Sequence, residues 1–264
     1  MTLHRCSGMT WIRRASNPGA MTLEGTNSYV LGREPLQQTI VVDPGPADSH
    51  HLASLAAAGA VQLILLTHRH LDHSAGARQL HEATGAPVRA AQAAQCVAAE
   101  PLSHGEWIAI GGVRLQVLLT PGHTSDSACF YLPDDVPLPH ADGAVGSMLT
   151  GDTILGRGTS VIDFPDGRLG AYLESVEYLR GFGAITALPG HGPVITDLAT
   201  VCVQYIDHRR LRLDQVSAAM TALGSEASVE AMTAAVYPGI TESLRPAAVR
   251  SLSASIDYLG TARA

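Results

Sequence analysis

The chain has 264 residues, 46% of them hydrophobic and 16% charged, and a formal net charge of −7. This composition predicts a soluble globular protein, folded as one large domain or as a domain of roughly 200 residues with an appendage. The apolar runs are much shorter than the ~18 residues that cross a membrane, so we expect no membrane segment. Every basic residue is an arginine, and the negative net charge weighs against a broad nucleic-acid-binding surface.

The cysteines and the N-terminal residues indicate the cellular compartment in which the protein is expected. The cysteines lie far apart and form no CxxC pair, which argues against a disulfide framework and against a cysteine zinc ribbon; they are Cys6, Cys96, Cys129 and Cys202. No continuous apolar stretch follows the basic residues of the first 14 positions. A secretory signal is therefore not predicted, and a cytoplasmic location is the default expectation.

Strand-like and helix-like segments alternate along most of the chain. Strands are predicted where apolar and β-branched residues are bounded by Gly, Pro or Asp, at residues 28–31, 39–43, 61–66, 113–119, 128–132 and 184–188. Helices are predicted at 47–58, 75–84 and 169–181, and the alanine-rich residues 90–99 are also expected to be helical. The fold class is therefore a mixture of α and β.

From Asp197 onward the pattern is helical only. A long amphipathic segment at 198–223 is followed by segments at 228–236 and 246–259. We therefore place a boundary between a first domain over 1–196 and a small helical domain over 197–264. These helices would either pack over a functional site or act only as a stabilising cap.

The segment THRHLDH (67–73) follows directly on the apolar run at 61–66. Three imidazoles and a carboxylate therefore crowd the loop that leaves a buried strand. Histidine and aspartate together suit borderline divalent ions such as zinc, and a loop can direct alternate side chains to two different ions. This segment predicts a metal site.

Three further candidate ligands follow strand-like segments in the same way. His123 lies in LLTPGHT (118–124), Asp152 in MLTGD (148–152) and His191 in LPGHG (188–192). Strand ends at one edge of a sheet would bring these side chains to one cleft. Such a set suffices for two ions about 3.5–4 Å apart with one bridging carboxylate, and a water between the ions would ionise near neutral pH. The predicted reaction class is hydrolysis.

The segments THRHLDHSAG, TPGHTSDS, LTGDTILGRGTS and LPGHGPVI together resemble the metallo-β-lactamase superfamily, and they occur in its order. EGTNSYVLG with IVVDPGP is similar to its opening strands. VQYIDHRRLRLDQ with the C-terminal helices is similar to the β-lactamase-like protein 2 subgroup of single-stranded RNA endoribonucleases. The resemblance implies an α+β fold, the αββα sandwich, with a small C-terminal winged-helix-like domain.

The resemblance also implies a role for each residue. His68, His70 and His123 would hold one zinc ion, Asp72, His73 and His191 a second, and Asp152 would bridge them. Asp72 would in addition be the catalytic residue that orients the attacking water. Asp43 would lie just behind the ligands and bond one of them, although an Asp-Pro-Gly turn also uses an aspartate for ordinary turn chemistry.

On the long helix, His208, Arg209 and Arg212 are candidates for binding a carboxylate or phosphate of the substrate. The alternative is that this basic run is a solvated face that pairs with Asp207 and Asp214. The remaining histidines considered lack the strand-end placement and are expected outside the site; they are His50, His51, His81, His104 and His140.

Departures from the pattern narrow the function. Zinc β-lactamases of the commonest subclass carry a cysteine where this chain has Asp152, so we expect β-lactam hydrolysis to be incidental at most. The roughly 28 residues between His123 and Asp152 leave no room for the large inserted domain of the mRNA-processing nucleases. Flavo-diiron oxidases replace one loop histidine by glutamate, whereas this chain keeps His70.

Three functions remain in competition. The leading hypothesis is a two-zinc hydrolase whose metal-bridging hydroxide attacks a phosphodiester of single-stranded RNA. The first alternative is a thioesterase of the glyoxalase II type acting on a small-molecule thioester. A persulfide dioxygenase, from another class, would use one Fe²⁺ held by two histidines and one aspartate. No membrane partner is expected, and the chain would be a monomer or a homodimer.

Overall fold

The computed structural model describes residues 3–138, 145–224 and 227–261. Within these ranges the strands form two β-sheets, and helices cover the outer faces of both. His140 lies outside the described residues, so its expected place outside the site is not tested. No helix in the described ranges is long and apolar enough to cross a membrane.

The first sheet is built from the N-terminal part of the chain. Its strands, in spatial and chain order, are β1 (His4–Arg5), β2 (Thr10–Arg14), β3 (Asn27–Leu31), β4 (Gln38–Val42), β5 (Ala60–Leu65) and β6 (Val88–Arg89). β1 to β4 pair antiparallel, whereas β4, β5 and β6 pair parallel. The parallel crossovers carry the helices α1 (Ser49–Ala56), α2 (Leu71–Ser74) and α3 (Ala77–Thr84).

The second sheet follows. Its strands are β7 (Trp107–Ile110), β8 (Val113–Leu119), β9 (Ala128–Leu132), β10 (Ser147–Gly151) and β11 (Thr186–Pro189), in the spatial order β11-β10-β9-β8-β7. β7 to β10 pair antiparallel, and β10 pairs parallel with β11. β8, β10 and β11 therefore run in the same direction, and their carboxyl ends lie at one edge of the sheet.

Alternation along the strands divides the side chains between three apolar layers. Ile40 and Val42 of β4 join the core between the two sheets, which includes Phe130 of the second sheet, whereas Val41 joins the layer under α1 and α3. Burying each such side chain contributes roughly 1.5–3 kcal/mol. The resulting order of layers, helix, sheet, sheet and helix, confirms the predicted α+β sandwich.

The outer face of the second sheet packs against α4 (Leu169–Arg180) and the first half of α5 (Leu198–Leu223). Tyr172 of α4 and Cys202 of α5 are fully buried in this layer with Met148 of β10. The side chain of Asp197 caps α5 by accepting a hydrogen bond from the backbone N of Thr200 at 3.0 Å. The long helix begins where the sequence predicted it.

The rest of α5 packs with α6 (Val229–Val236) and α7 (Arg245–Thr261) around a small apolar cluster of its own. The described residues after Asp197 thus form the predicted helices, but no strand, so they do not form a wing. Because the first half of α5 shares its core with α4 and the second sheet, the boundary at residue 197 stays a prediction.

The prediction of a helix at residues 90–99 is wrong. Residues 90–99 contain a single 3₁₀ turn at Ala93–Gln95. The backbone of Val97 instead exchanges two hydrogen bonds with Val88, at 2.9 and 3.0 Å. Pairing with the end of the first sheet therefore overrides the helix propensity of the alanines.

Candidate metal centre

The ligand-bearing loops leave the two sheets at edges that face each other. Asp43 directly follows β4, the THRHLDH segment follows β5, and the loops after β8, β10 and β11 carry the other predicted ligands. The backbone N of Ala128, at the start of β9, donates to the carbonyl O of Thr67 at 2.7 Å and joins the two edges. This convergence brings the seven predicted ligands together.

Three histidines form the first group. Nε2 of His68 lies 3.0 Å from Nδ1 of His70, and Nε2 of His123 lies 3.1 Å from the same Nδ1. His68 and His123 are buried, whereas the side chain of His70 is 30% exposed. Their donor atoms lie within 4.8 Å of one another, so the three could hold one metal ion.

Asp72, His73 and His191 form the second group. Nε2 of His191 lies 3.1 Å from Nε2 of His73 and 3.1 Å from Oδ2 of Asp72. Both imidazoles are fully buried, while the Asp72 side chain is 28% exposed and so reaches solvent. These donor atoms also lie within 4.8 Å of one another and could hold a second ion.

Asp152 lies between the two groups. Its Oδ1 is 3.3 Å from Nε2 of His73 and 3.5 Å from Nε2 of His191, and its Oδ2 is 3.9 Å from Nε2 of His123. One carboxylate oxygen thus faces each group. This is the arrangement that a carboxylate shared by two ions requires.

Each imidazole of the centre has its outer nitrogen anchored by the protein. His73 Nδ1 is 2.8 Å from Asp43 Oδ2, His123 Nδ1 donates to the Val161 carbonyl at 2.6 Å, and His191 Nδ1 donates to the Gly25 carbonyl at 3.3 Å. His68 Nδ1 contacts Thr67 Oγ1 at 3.0 Å, and His70 Nε2 contacts Asp163 Oδ2 at 3.1 Å. These partners favour the tautomers in which the inner nitrogens carry lone pairs.

Metal ions fit these residues. With Nδ1 of His73 and His191 protonated, their Nε2 atoms face each other at 3.1 Å and cannot bond unless a proton or a metal ion lies between them. Oδ1 of Asp152 is buried and has no hydrogen-bond partner among the described residues. A buried acceptor without a donor is unfavourable, and a divalent ion would satisfy both features.

The charges of the two groups differ. Burial lowers the pKa of His68 well below its usual value and also lowers that of His123. Both imidazoles are therefore neutral and can offer a nitrogen lone pair to a metal ion. Burial acts the same way on the second group, but the Asp152 carboxylate outweighs it and raises the pKa of His191 to about 9 and that of His73 well above its usual value. The second group therefore stabilises positive charge most strongly.

Asp43 contacts the predicted ligand His73. Besides the bond to His73, it accepts hydrogen bonds from the backbone N of Thr67 at 2.8 Å and from Thr67 Oγ1 at 2.7 Å. Thr67 Oγ1 in turn contacts His68. Asp43 is therefore linked to one imidazole of each group.

Sequence reasoning missed the contacts that two residues of the loop after Asp152, Val161 and Asp163, make with the imidazoles. Asp163 Oδ2 contacts Nε2 of His70, and the same carboxylate pairs with Arg69 at 3.0 Å and with Arg250 of α7 at 3.2 Å. Val161 supplies the carbonyl that anchors His123. The only signal was the turn-like sequence DFPDG, which predicts a loop but not its contacts.

Gly190 is required by the close packing of the centre. A Cβ atom at this position would lie 2.6 Å from Cε1 of His73 and 2.7 Å from Oδ1 of Asp152. Neither atom belongs to a flexible surface side chain. The Pro-Gly-His turn after β11 therefore needs a residue without a side chain here.

The predicted substrate-binding residues lie on α5, close to the centre but not in it. Arg209 is buried and donates to the carbonyl O of Ser160, while Arg212 donates to the carbonyl O of Val236 at 2.7 Å. His208 is partly buried beside them. Asp207 pairs with Arg210 at 3.5 Å. The alternative prediction, a solvated face paired with Asp207, therefore describes Arg210 but not His208, Arg209 or Arg212.

Comparison with known proteins agrees with this architecture. A family model described as the metallo-beta-lactamase superfamily matches residues 21–138. The lactamase-like protein nscB of Neosartorya fischeri is 34% identical over 210 residues, which cover 76% of this chain and 58% of that protein. The atrochrysone carboxyl ACP thioesterase of Aspergillus fumigatus is 32% identical over 213 residues, covering 77% of this chain and 62% of that protein. The chain thus spans less than two thirds of the length of either relative.

A solved structure extends the likeness to nearly the whole fold. The crystal structure of a metallo-beta-lactamase family protein from Thermus thermophilus has a TM-score of 0.77 and 22% sequence identity, covering 97% of this chain and 94% of that chain. At this identity the likeness concerns the fold alone. The family model and the relatives thus show that this chain is similar to the metallo-beta-lactamase superfamily, and the solved structure shows that it shares the fold.

Proposed function

We propose that this protein is a metal-dependent hydrolase that cleaves a thioester. The observation that carries the hydrolase is the position of Asp152, whose two carboxylate oxygens face two separate groups of ligands. The thioester is supported by the relative named as an acyl carrier protein thioesterase, at 32% identity.

The proposal gives each group one ion. His68, His70 and His123 would hold the first, Asp72, His73 and His191 the second, and Asp152 would contact both. Bound there, divalent zinc would polarise the thioester carbonyl and lower the pKa of water toward ~7. The overall reaction transfers the hydroxyl of water to the acyl carbon, and the thiol leaves with the proton.

Side chains of the protein orient the water and accept its proton in this proposal. Burial raises the pKa of Asp72, but the hydrogen bond to His191 and the charge of His73 outweigh it and keep the carboxylate ionised at neutral pH. Because its side chain is partly exposed to solvent, Asp72 is the group proposed to orient the attacking water and accept its proton. Asp43, Val161 and Asp163 hold the imidazoles in place.

The expectation of a single-stranded RNA substrate stays a prediction. The surroundings of the centre are rich in carboxylates, since Asp72 and Asp163 lie at the centre and Asp166 pairs with Arg69 beside it at 3.1 Å. Such a surface does not attract a polyanion. The single-iron dioxygenase is less well supported, since one ion would leave the other buried group without a cation.

The experiment combines elemental analysis with two assays on the same preparation. The purified protein is analysed for bound zinc and iron, then assayed with an S-acyl pantetheine thioester and with labelled single-stranded RNA. Two zinc ions and thioester turnover support the proposal. RNA cleavage without thioester turnover would instead identify a phosphodiester as the substrate. One iron per chain with oxygen consumption on a thiol persulfide would overturn the hydrolase.

A pair of variants tests the role of Asp72. Asp72→Asn keeps the size of the side chain but removes its basicity, so kcat is expected to fall about 10²–10⁴-fold, the usual contribution of a general base. Asp134→Asn is the matched control, because Asp134 is 48% exposed and pairs with Arg114 at the surface. Equal activity of Asp72→Asn and Asp134→Asn would exclude Asp72 as the base.

A further inference from the structure

A cavity of about 220 Å³ adjoins the metal centre. It lies between residues 159–161, the middle of α5, and the segment that leads from Tyr237 into α7. Val161 borders both the cavity and the centre, because its carbonyl accepts the hydrogen bond from His123 Nδ1. The cavity therefore lies next to the candidate ligand His123, on the side of its outer nitrogen, and its lining residues can determine which ligand binds there.

One wall of the cavity carries positive charge without a counter-ion. Arg209 is only 5% exposed, and its guanidinium donates to the carbonyl of Ser160 and lies 5.1 Å from the centre of the Tyr172 ring. Arg212 donates to the carbonyl of Val236 and lies 4.3 Å from the centre of the Tyr237 ring. Neither arginine pairs with a carboxylate in the part of the chain that the structure describes.

Two polar atoms on this wall also lack partners. Nε of Arg209 and Nδ1 of His208 are buried without a hydrogen bond to any described residue. A buried cation that meets only a carbonyl and an aromatic face is poorly compensated, because neither carries a full negative charge. An anion in the cavity would supply the missing negative charge.

The opposite wall is apolar. Ile240, Leu244, Ala247 and Ala248 line it, and none of the described lining residues is acidic. A hydrated inorganic ion would gain nothing from these side chains. The cavity is therefore complementary to an organic anion, in which a negatively charged group is joined to an apolar body.

We propose that this cavity is a binding site for the anionic end of the substrate, with His208, Arg209 and Arg212 as its recognition residues. Binding of an organic anion stands on the cavity alone. The statement that the anion is part of a thioester substrate rests on the proposed function. The anionic group could belong to the acyl part or to the thiol part of the thioester.

The first experiment measures binding without turnover. Metal-loaded protein is titrated calorimetrically with 1-naphthoate and with its uncharged analogue 1-naphthylmethanol. Wild type is expected to bind the carboxylate at least ~10-fold more tightly, and Arg212→Gln to lose that difference, because a charged hydrogen bond is removed. Arg212→Lys, which keeps the charge, should recover part of it.

Arg210→Gln is the matched control. Arg210 lies on the same helix and carries the same charge, but it faces away from this cavity and pairs with Asp207. Its affinity for 1-naphthoate should stay within about twofold of wild type, since exposed pairs contribute little. Equal loss in Arg210→Gln and Arg212→Gln, or equal affinity of wild type for the two naphthalene ligands, would overturn the proposal.

The same variants are checked for folding and for metal content. Arg212 is only partly buried, so Arg212→Gln should keep the bound metal and melt close to wild type. If it does not fold, His208→Ala replaces it in the titration, with the same expectation. Loss of 1-naphthoate binding together with loss of metal would assign the carboxylate to the metal centre and contradict the proposal.

The second experiment locates the anion on the substrate. Thioesters are compared in two pairs: glutaryl against pentanoyl on one thiol, and one acyl group on 3-mercaptopropionate against propanethiol. Wild type should prefer the charged member of one pair in kcat/KM by at least ~10-fold, and Arg212→Gln should abolish only that preference. No preference in either pair would refute the substrate statement. No thioester turnover at all would refute the proposed function and leave the titration as the test of the site.

Discussion

Oδ2 of Asp43 lies 2.8 Å from Nδ1 of His73, and both side chains are almost completely buried. The same oxygen accepts a hydrogen bond from Thr67 Oγ1, which contacts Nδ1 of His68. One carboxylate is therefore linked to an imidazole of each ligand group. Its backbone has φ +51°, which is uncommon for a residue other than glycine and is held here by these hydrogen bonds.

Asp43→Asn should weaken metal binding. The carboxylate accepts three hydrogen bonds, and an amide of the same size offers one oxygen and turns an NH₂ group toward a donor. Metal affinity is expected to fall about 10–100-fold, the usual effect of removing such an orienting partner. Competition with a chromophoric chelator measures it.

Asp48→Asn is the control for Asp43→Asn. Asp48 caps α1 by accepting from the backbone N of His51 at 2.8 Å, and asparagine caps a helix equally well. Metal affinity in this variant should equal that of wild type. Unchanged affinity in Asp43→Asn as well would mean that the imidazoles hold their orientation without Asp43.

Asp152→Ala should remove activity and reduce bound metal. The carboxylate faces both groups, so its loss would affect both ions, and turnover is expected to fall by several orders of magnitude. The fold should persist, because Asp152 lies in a loop after β10 and its Oδ1 bonds no other described group. Bound metal, folding and kcat are measured on one sample by elemental analysis, circular dichroism and activity assay. Turnover like that of wild type would show that Asp152 has no role in the mechanism.

Asp163→Asn should act mainly on the first group. His70 would lose the anionic partner of its Nε2, and Arg69 and Arg250 would lose their shared counter-ion. We expect about a 10-fold weaker site at the first group and a smaller effect at the second. Cobalt substitution followed by visible absorption would separate the two ions.

Asp257→Asn is the matched control for Asp163→Asn. Asp257 lies on α7 like Arg250, but it pairs with Arg168 at 2.9 Å instead of with a residue of the centre. Its cobalt spectrum should match that of wild type. A change of equal size in both variants would indicate a general effect of α7 instead of an effect through His70.

His51 should make stability depend on pH. Burial, aided by the nearby charge of Arg13, lowers the pKa of His51 to about 4 in the folded protein, from 6.5. The unfolded chain therefore binds this proton at a higher pH than the folded chain, and the free energy of unfolding falls as the pH decreases from 6.5 to about 4. The loss is at most about 3 kcal/mol, at 1.36 kcal/mol per pH unit.

Chemical denaturation at several pH values tests this with two neighbouring variants. His51→Gln can keep the hydrogen bond to Ser28 Oγ, which is 2.8 Å long in the native protein, but does not titrate. It should lose part of the acid-induced destabilisation, whereas His50→Gln, at an exposed position, should not. Parallel pH curves for wild type and His51→Gln would contradict the role of His51.

Gly190→Ala should displace the ligands without disturbing the sheets. The added methyl group would lie within 2.7 Å of His73 and Asp152, so one of them must move. A displacement of about 1 Å is enough to reduce turnover roughly 10²-fold. Gly260→Ala, where a Cβ would meet no atom within 4 Å, should leave turnover unchanged. A fully active Gly190→Ala would show that the centre tolerates the displacement.

Much of the centre could be predicted from sequence because its signals are local. His68, His70, Asp72 and His73 lie within six consecutive residues after an apolar strand, so their proximity follows from chain connectivity. The loops of His123, Asp152 and His191 each begin at a strand end, and the parallel direction of β8, β10 and β11 brings those ends to one edge. The alternation of strand-like and helix-like segments predicted only a mixed α and β class, whereas the sandwich was implied by the resemblance to the metallo-β-lactamase superfamily.

The tertiary structure decided what each ligand touches. His70 and Asp163 are 93 positions apart, and His123 and Val161 are 38 apart, so no spacing in the sequence relates them. The strands β1, β2, β6 and β7 were also missed, and Val97 pairs with β6 although residues 90–99 have high helix propensity. The charge on Arg209 was visible in the sequence, but its burial without a counter-ion was not. Residue type and local periodicity determined the donor set and the layers, whereas hydrogen-bond partners and cavities depend on packing between segments distant along the chain.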